Sequence, residues 1–179
     1  MTLFFYIVIA IITFFAFLHA YAKKNYDVSR TVVINRSKDE VYGVVRQLKI
    51  QSKWVPWFQR DPEAILKYKG EDGKLGASFY WKGNNKAGEG IQRIVKIKQG
   101  KVMETKLLFV KPIKITALTY IGVKEIEPEK TKMIWGVRGL LGFPLSVISL
   151  FYSPEKLLGQ DFDQGLKNLK VLLEKRTMA

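Results

Sequence analysis

Cysteine is absent from all 179 residues, and histidine occurs once, at His19. The first absence excludes disulfides, thiolate nucleophiles and Cys-ligated metal. The second leaves everything after residue 19 without a Ser-His-Asp triad, a histidine metal site or a histidine general base. No cofactor or metal is expected. Negative charge is also scarce, with 16 Asp and Glu against 30 Lys and Arg and a formal net charge of +14. Charge of either sign is missing from Met1 to Ala22, so the whole +14 belongs to residues 23–179.

The uncharged stretch is filled by "LFFYIVIAIITFFAFLHAYA" from Leu3, 20 residues or about 30 Å as a helix, close to the hydrocarbon thickness of a bilayer. It can span. Ala20-Tyr21-Ala22 also has the small-x-small form of a signal-peptide cleavage site. Against cleavage, no Lys or Arg precedes the run, the run exceeds a usual signal core, and Lys23 and Lys24 would come directly after the cut. A retained anchor is favoured, and Lys23 and Lys24 put the adjoining domain in the cytoplasm by the positive-inside rule. His19 falls near the membrane interface or against a neighbouring helix; a proton relay would need an acidic or basic partner in the helix, and no Asp, Glu, Lys or Arg is there.

A basic domain beside an anionic leaflet is held by roughly 1 kcal/mol per nearby cation. Nucleic acid is the alternative partner. The cations are spread along strands without a dense cluster, and no zinc-finger, KH or RNP pattern occurs, so none is expected. Oligomeric state is not legible.

After a linker at 23–27 the pattern reads as one domain over 28–176. "VSRTVVI" from Val28 to Ile34 alternates as a strand. Ser37 and Glu40 form a capping box before Val41, Val44, Val45 and Leu48 at helical spacing. "KWVPWFQRDP" begins at Lys53, and its Pro56 ends or redirects any helix. From Glu63 the apolar period becomes two for some 75 residues, broken by turn signals such as "GEDGKLG", "GNN" and "KQGK", as in an antiparallel meander with one apolar face. The inward positions read as Ala64, Leu66 and Tyr68; Ala77, Phe79 and Trp81; Ile91, Val95 and Ile97, with Glu89 and Arg93 on the same face. They continue through Met103, Thr105, Leu107 and Phe109; Ile113, Ile115, Ala117, Thr119, Ile121 and Val123; and Met133, Trp135 and Val137. "SPEKLLGQDFDQGLKNLKVLLEK" opens with Ser153 as N-cap and Pro154 in the first turn, and Leu158, Phe162, Leu166, Leu169 and Leu173 form its apolar stripe. The expected fold is α+β: a strand, one or two short helices, six strands and a long helix gripped by a curved sheet.

That order, β-α-α-β6-α, together with "KWVPWFQRDPEA", "GASFYWKGNNKAGEG", "LLFVKP" and "GQDFDQGLKNLK", resembles the SRPBCC superfamily of helix-grip proteins. The group includes START lipid-transfer domains, pollen-allergen-like proteins and polyketide cyclase/dehydrase-like domains, and the likeness is greatest to membrane-anchored bacterial members of the last. It covers about Val28 to Lys175. It implies a cavity between sheet and long helix that holds an apolar small molecule or lipid; it does not imply a reaction.

The expected cavity residues are Trp54, Trp57 and Phe58 at one end, and Phe79, Trp81, Glu89, Ile91, Arg93, Leu107, Phe109, Ile115 and Trp135 on the sheet. Leu158, Phe162 and Leu166 lie opposite on the helix. Glu89 and Arg93, if inward, would orient a polar head group; a bulge at Gly88 or Gly90, or a position at the strand end, would instead leave them in water. The three aromatics between Lys53 and Pro62 either contact ligand or seal the core. Tyr68, Tyr80 and Tyr120 are possible hydroxyl donors but pack more commonly. Asp161 and Asp163 suit the helix dipole. Gly159 and Gly165 suggest room beside the long helix. "GLLGFPLSVISLFYS", from Gly139 to Ser153, has no charge; it reads as a buried short helix or as a lid touching lipid, with buried packing favoured. Three functions are compatible with these residues: a membrane-anchored carrier of an apolar ligand, a cyclase or dehydratase on a hydrophobic substrate, or an interaction module without a ligand. No catalytic residue is assigned.

Overall fold

The computed structural model describes residues 1–175, so residue 176, the expected end of the domain, lies outside the described residues. A helix without a buried residue comes first, α1 (Thr2–Tyr21), touching the rest only near its C-terminal end. Next come β1 (Asn25–Ile34), three short helices α2 (Lys38–Val45), α3 (Leu48–Gln51) and α4 (Pro56–Gln59), and six strands. These are β2 (Ile65–Lys69), β3 (Ser78–Lys82), β4 (Glu89–Lys98), β5 (Val102–Lys111), β6 (Ile115–Glu127) and β7 (Lys130–Leu140). The chain closes through α5 (Leu145–Ile148) and the long α6 (Pro154–Lys175). The strands form one antiparallel sheet in the order β1-β7-β6-β5-β4-β3-β2. Hairpins join β2 to β7 in sequence, and the first strand returns beside the last.

Local chemistry accounts for most boundaries. The Ser37 side chain accepts the Glu40 N–H at the start of α2, and Ser153 Oγ accepts the Glu155 N–H at 3.2 Å at the start of α6; each satisfies a donor that the first helical turn leaves free. Pro56 opens α4, where its missing N–H costs nothing. The expected stripe of α6 lies against the sheet, with Phe162, Leu166, Leu169 and Leu173 buried and Leu158 half-buried.

Three expectations change. β1 begins at Asn25, inside the stretch read as a linker, because Asn25–Asp27 pair with Leu140–Arg138 of β7; their polar side chains hid the strand. Ile113 lies before β6 and is exposed. The face of β4 is inverted over its first half: Gly90, Gln92 and Ile94 point to the core, while Glu89, Ile91, Arg93 and Val95 do not. The irregularity between Ile94 and Lys96 produces this: Val95 is an extra residue in β4 between the Ile94–Thr105 and Lys96–Glu104 pairs, and it returns Ile97 to the core side. A bulge adds one residue and flips the alternation.

Candidate functional site

The space between sheet and α6 is occupied by rings. Phe162 stacks on Trp135 with centroids 4.1 Å apart, and Trp54 and Trp57 meet the same indole at 4.7 and 5.5 Å. Trp57 touches Phe58, which stands edge-on to Phe79 at 5.0 Å and to Trp81 at 5.5 Å; Trp81 in turn meets Phe109 at 5.4 Å. Trp54, Phe79 and Trp81 have no exposed surface, and Phe162 retains 2%. The rings therefore form a continuous layer from α6 to β5 whose offset and edge-on geometries are those aromatic pairs prefer.

The structure brings Trp54, Trp57, Phe58, Phe79, Trp81, Phe109, Trp135 and Phe162 together, packed against one another. Leu107 and Leu166 are buried in the same core, Leu158 packs on its edge, and Ile115 is half-exposed at the end of the sheet. Glu89, Ile91 and Arg93 leave the interior. Glu89 accepts a hydrogen bond from Tyr80 Oη at 2.9 Å and lies 3.7 Å from Lys111 Nζ, while Arg93 is exposed. The bond to the Glu89 carboxylate stabilises the protonated phenol and raises the Tyr80 pKa. Among the other candidates, Tyr68 stacks on Phe79, Tyr120 donates to Asp27, and Asp161 and Asp163 pair with Arg60 and Arg30. The room beside Gly159 and Gly165 is taken by the Arg30 guanidinium and the Trp135 ring.

The polar content of the concave face comes from another set. Gln92 Nε2 donates to Thr105 Oγ1 at 2.8 Å, and the Thr105 and Thr119 hydroxyls meet at 2.5 Å, all three buried. Sequence periodicity places the threonines inward but not Gln92. The inward side of β4 is poor in apolar residues: a Cβ at Gly90 would lie 2.5 Å from the Trp81 ring, which fills that slot from β3.

An open hollow of about 710 Å³ lies elsewhere, on the outer face of β5, β6 and β7 at the end of the sheet nearest α1. Its wall is mainly apolar, from Ile113, Ile115, Leu118, Leu140, Phe143 and Leu145, with Lys106, Lys114 and Arg138 among the lining residues. The 142–145 segment borders it because β7 ends beside the foot of α1: Leu141 N donates to Lys24 O at 2.8 Å, and Asn25 pairs with Leu140. Beyond it α5 rests against α1, where His19 Nδ1 and Ser146 Oγ are 2.6 Å apart and the Phe143 ring stands edge-on to His19 at 6.0 Å. The uncharged 139–153 stretch, expected to be buried, is mostly not. Ser146 and Val147 are buried; Leu140, Phe143, Ile148, Leu150, Phe151 and Tyr152 are exposed.

No family profile matches the chain, and no curated protein does. Solved structures do. A protein of unknown function from Staphylococcus aureus superposes with a TM-score of 0.66 at 12% identity, over 89% of this chain and 99% of its own. Norcoclaurine synthase from Thalictrum flavum, in complex with dopamine and hydroxybenzaldehyde, gives 0.66 at 9% identity over 91% and 94%. Ara h 8.0201 gives 0.56 at 10% identity over 84% and 99%. At these identities the likeness speaks for architecture: residues 25–175 have the α+β helix-grip fold, similar to Bet v1 and SRPBCC-like proteins.

Proposed function

We propose that the chain is a single-pass membrane protein whose helix-grip domain binds an apolar small molecule or lipid in the hollow bordered by Leu118, Leu140 and Phe143. The observation that carries this reading is the position of the hollow. It is apolar, of a size typical for small-molecule sites, has cations in its wall, and lies at the foot of the one helix among the described residues with the length and composition to span a bilayer. Met1–Ala22 acts as the anchor, and Lys23 and Lys24 favour a cytoplasmic domain. The site proposed here differs from the one the family resemblance implies, because the aromatic layer leaves Phe162 against Trp135 instead of against a ligand. Norcoclaurine synthase shares the architecture and is solved with two small aromatic molecules, which supports small-molecule binding as a use of the fold, not its position here. Glu89 on the outer face removes the carboxylate considered for acid–base work from the interior, so a reaction has less support than binding.

Photo-crosslinking with a diazirine fatty acid on the full chain in detergent micelles tests this. Adducts are expected on residues 113–118 and 139–145, displaced by excess unlabelled fatty acid and reduced by Leu118→Glu, a half-exposed position. Displaceable adducts concentrated on α6 around Phe162 would overturn the outer site in favour of an interior one.

A further inference from the structure

The exposed apolar residues of the 140–152 segment are on the same side of the molecule as the foot of α1. α1 ends at Tyr21, and His19 is only two residues, about 3 Å of helix rise, before that end. Because Ser146 and Phe143 contact His19 directly, they stand beside the last turn of α1. A helix of 20 residues is about 30 Å long and has no length to spare for the hydrocarbon region. Its last turn therefore belongs at the membrane boundary, and whatever packs beside that turn is at the same level. Leu140, Phe143, Ile148, Leu150, Phe151 and Tyr152 are between 44% and 74% exposed there, and no charged residue interrupts them. Lys23, Lys24, Lys114 and Lys156 flank the patch, with Asp27 and Glu155 as nearby acidic residues. Aromatic and aliphatic side chains rimmed by lysine are the composition of a surface that lies in the headgroup region.

We infer that the segment from Leu140 to Tyr152 is a second membrane contact, which lays the sheet end that carries the hollow against the surface of an anionic bilayer. The His19–Ser146 hydrogen bond holds the segment to α1 and the Leu141–Lys24 bond holds it to the residues just after α1, so span and interfacial patch insert as one unit. The hollow then opens where lipid is available, and a ligand can reach it from the bilayer without crossing water. The inference rests on the reading of α1 as a retained span, and the test separates the two.

The chain has no cysteine, so single-cysteine variants of the full chain take one environment-sensitive fluorophore each. Four positions suffice: Phe14→Cys in α1, Phe143→Cys and Phe151→Cys in the patch, and Glu127→Cys at the far end of β6. The last is roughly 40 Å from the patch by strand rise, and all four side chains are exposed. The protein is reconstituted into vesicles of phosphatidylcholine and phosphatidylglycerol, and quenching by aqueous iodide is compared with quenching by lipid carrying a shallow nitroxide. Labels at 143 and 151 are expected to emit to the blue of the label at 127, to be quenched by the nitroxide, and to show an iodide constant lower by roughly fivefold, as for groups sunk into the headgroup boundary. If Phe14→Cys is protected while 143 and 151 match 127, the patch faces water and the inference fails with the anchor intact. If Phe14→Cys is also open to iodide, the anchor reading fails and the patch reading with it. Protection at 143 and 151 that disappears as protein is diluted into excess lipid would mean a second copy covers the patch, which also overturns the inference.

Discussion

Thr105 shows what a single hydroxyl does in this domain. It retains 1% of its surface, accepts from Gln92 and meets Thr119, linking β4, β5 and β6 across the concave face. Thr105→Val keeps the shape and removes the oxygen, so Gln92 Nε2 and Thr119 Oγ1 each lose a partner where water does not reach. The expected cost is about 1–3 kcal/mol, read as a lower denaturation midpoint by tryptophan fluorescence, with Thr105→Ser recovering most of it. A valine variant as stable as the parent, with the serine variant the less stable of the two, would assign the effect to the methyl group. Periodicity gives the wrong face for β4 because the bulge at Val95 flips the alternation, and Gln92, turned inward, finds its partner 13 residues away in sequence.

At the scale of elements, α6 is held by two glycines in different ways. A Cβ at Gly165 would lie 2.7 Å from Trp135 Cζ3 and 3.1 Å from Pro56 Cδ, atoms fixed by the aromatic layer and by α4. A Cβ at Gly159 meets Arg30 Nη2, the end of a long side chain whose ion pairs to Glu155 and Asp163 are largely in water and so contribute little. Gly165→Ala is expected to destabilise by about 1–3 kcal/mol through overpacking. In Gly159→Ala, the helix gain of up to about 1 kcal/mol roughly offsets the displaced Arg30. Thermal melts of the two variants compare them directly. A Gly165→Ala protein as stable as the parent would mean that the layer beneath α6 has slack, and an interior ligand site would return to consideration.

At the scale of the whole molecule, the apolar helix and the basic helix-grip domain meet through α5, and the proposed anchor is tested apart from the domain. The full chain is expected to stay in the pellet after alkaline carbonate extraction and to keep its N-terminal mass. A soluble product beginning at Lys23 would instead identify α1 as a cleaved signal. Carbonate extraction strips charge-held proteins, so this outcome depends on the hydrocarbon span and not on the +14 of the domain.

The sequence by itself determined the seven strands and the long helix in their order, while three short helices stand between β1 and β2 where one or two were expected. Capping at Ser37 and Ser153, the period-two runs from Leu66 to Val137 and the Leu158–Leu173 stripe depend on neighbours within a few residues, and each side chain reports its own local geometry. Tertiary structure alone decided which rings face one another, which way β4 turns, and where an open hollow remains. Those outcomes arise from volume and pairing between distant residues: Trp81 occupies the place left by Gly90, Trp135 fills the notch of Gly165, and Gln92 turns inward to reach Thr105. The inward aromatic face was legible as apolar, but periodicity carries no measure of whether the facing side chains sum to less than, or all of, the space between sheet and helix. Nor does the lack of charge from Gly139 to Ser153 distinguish a buried segment from one lying exposed beside α1. Its contacts with His19 in α1 and with Lys24 just after it, more than a hundred residues away, made that distinction.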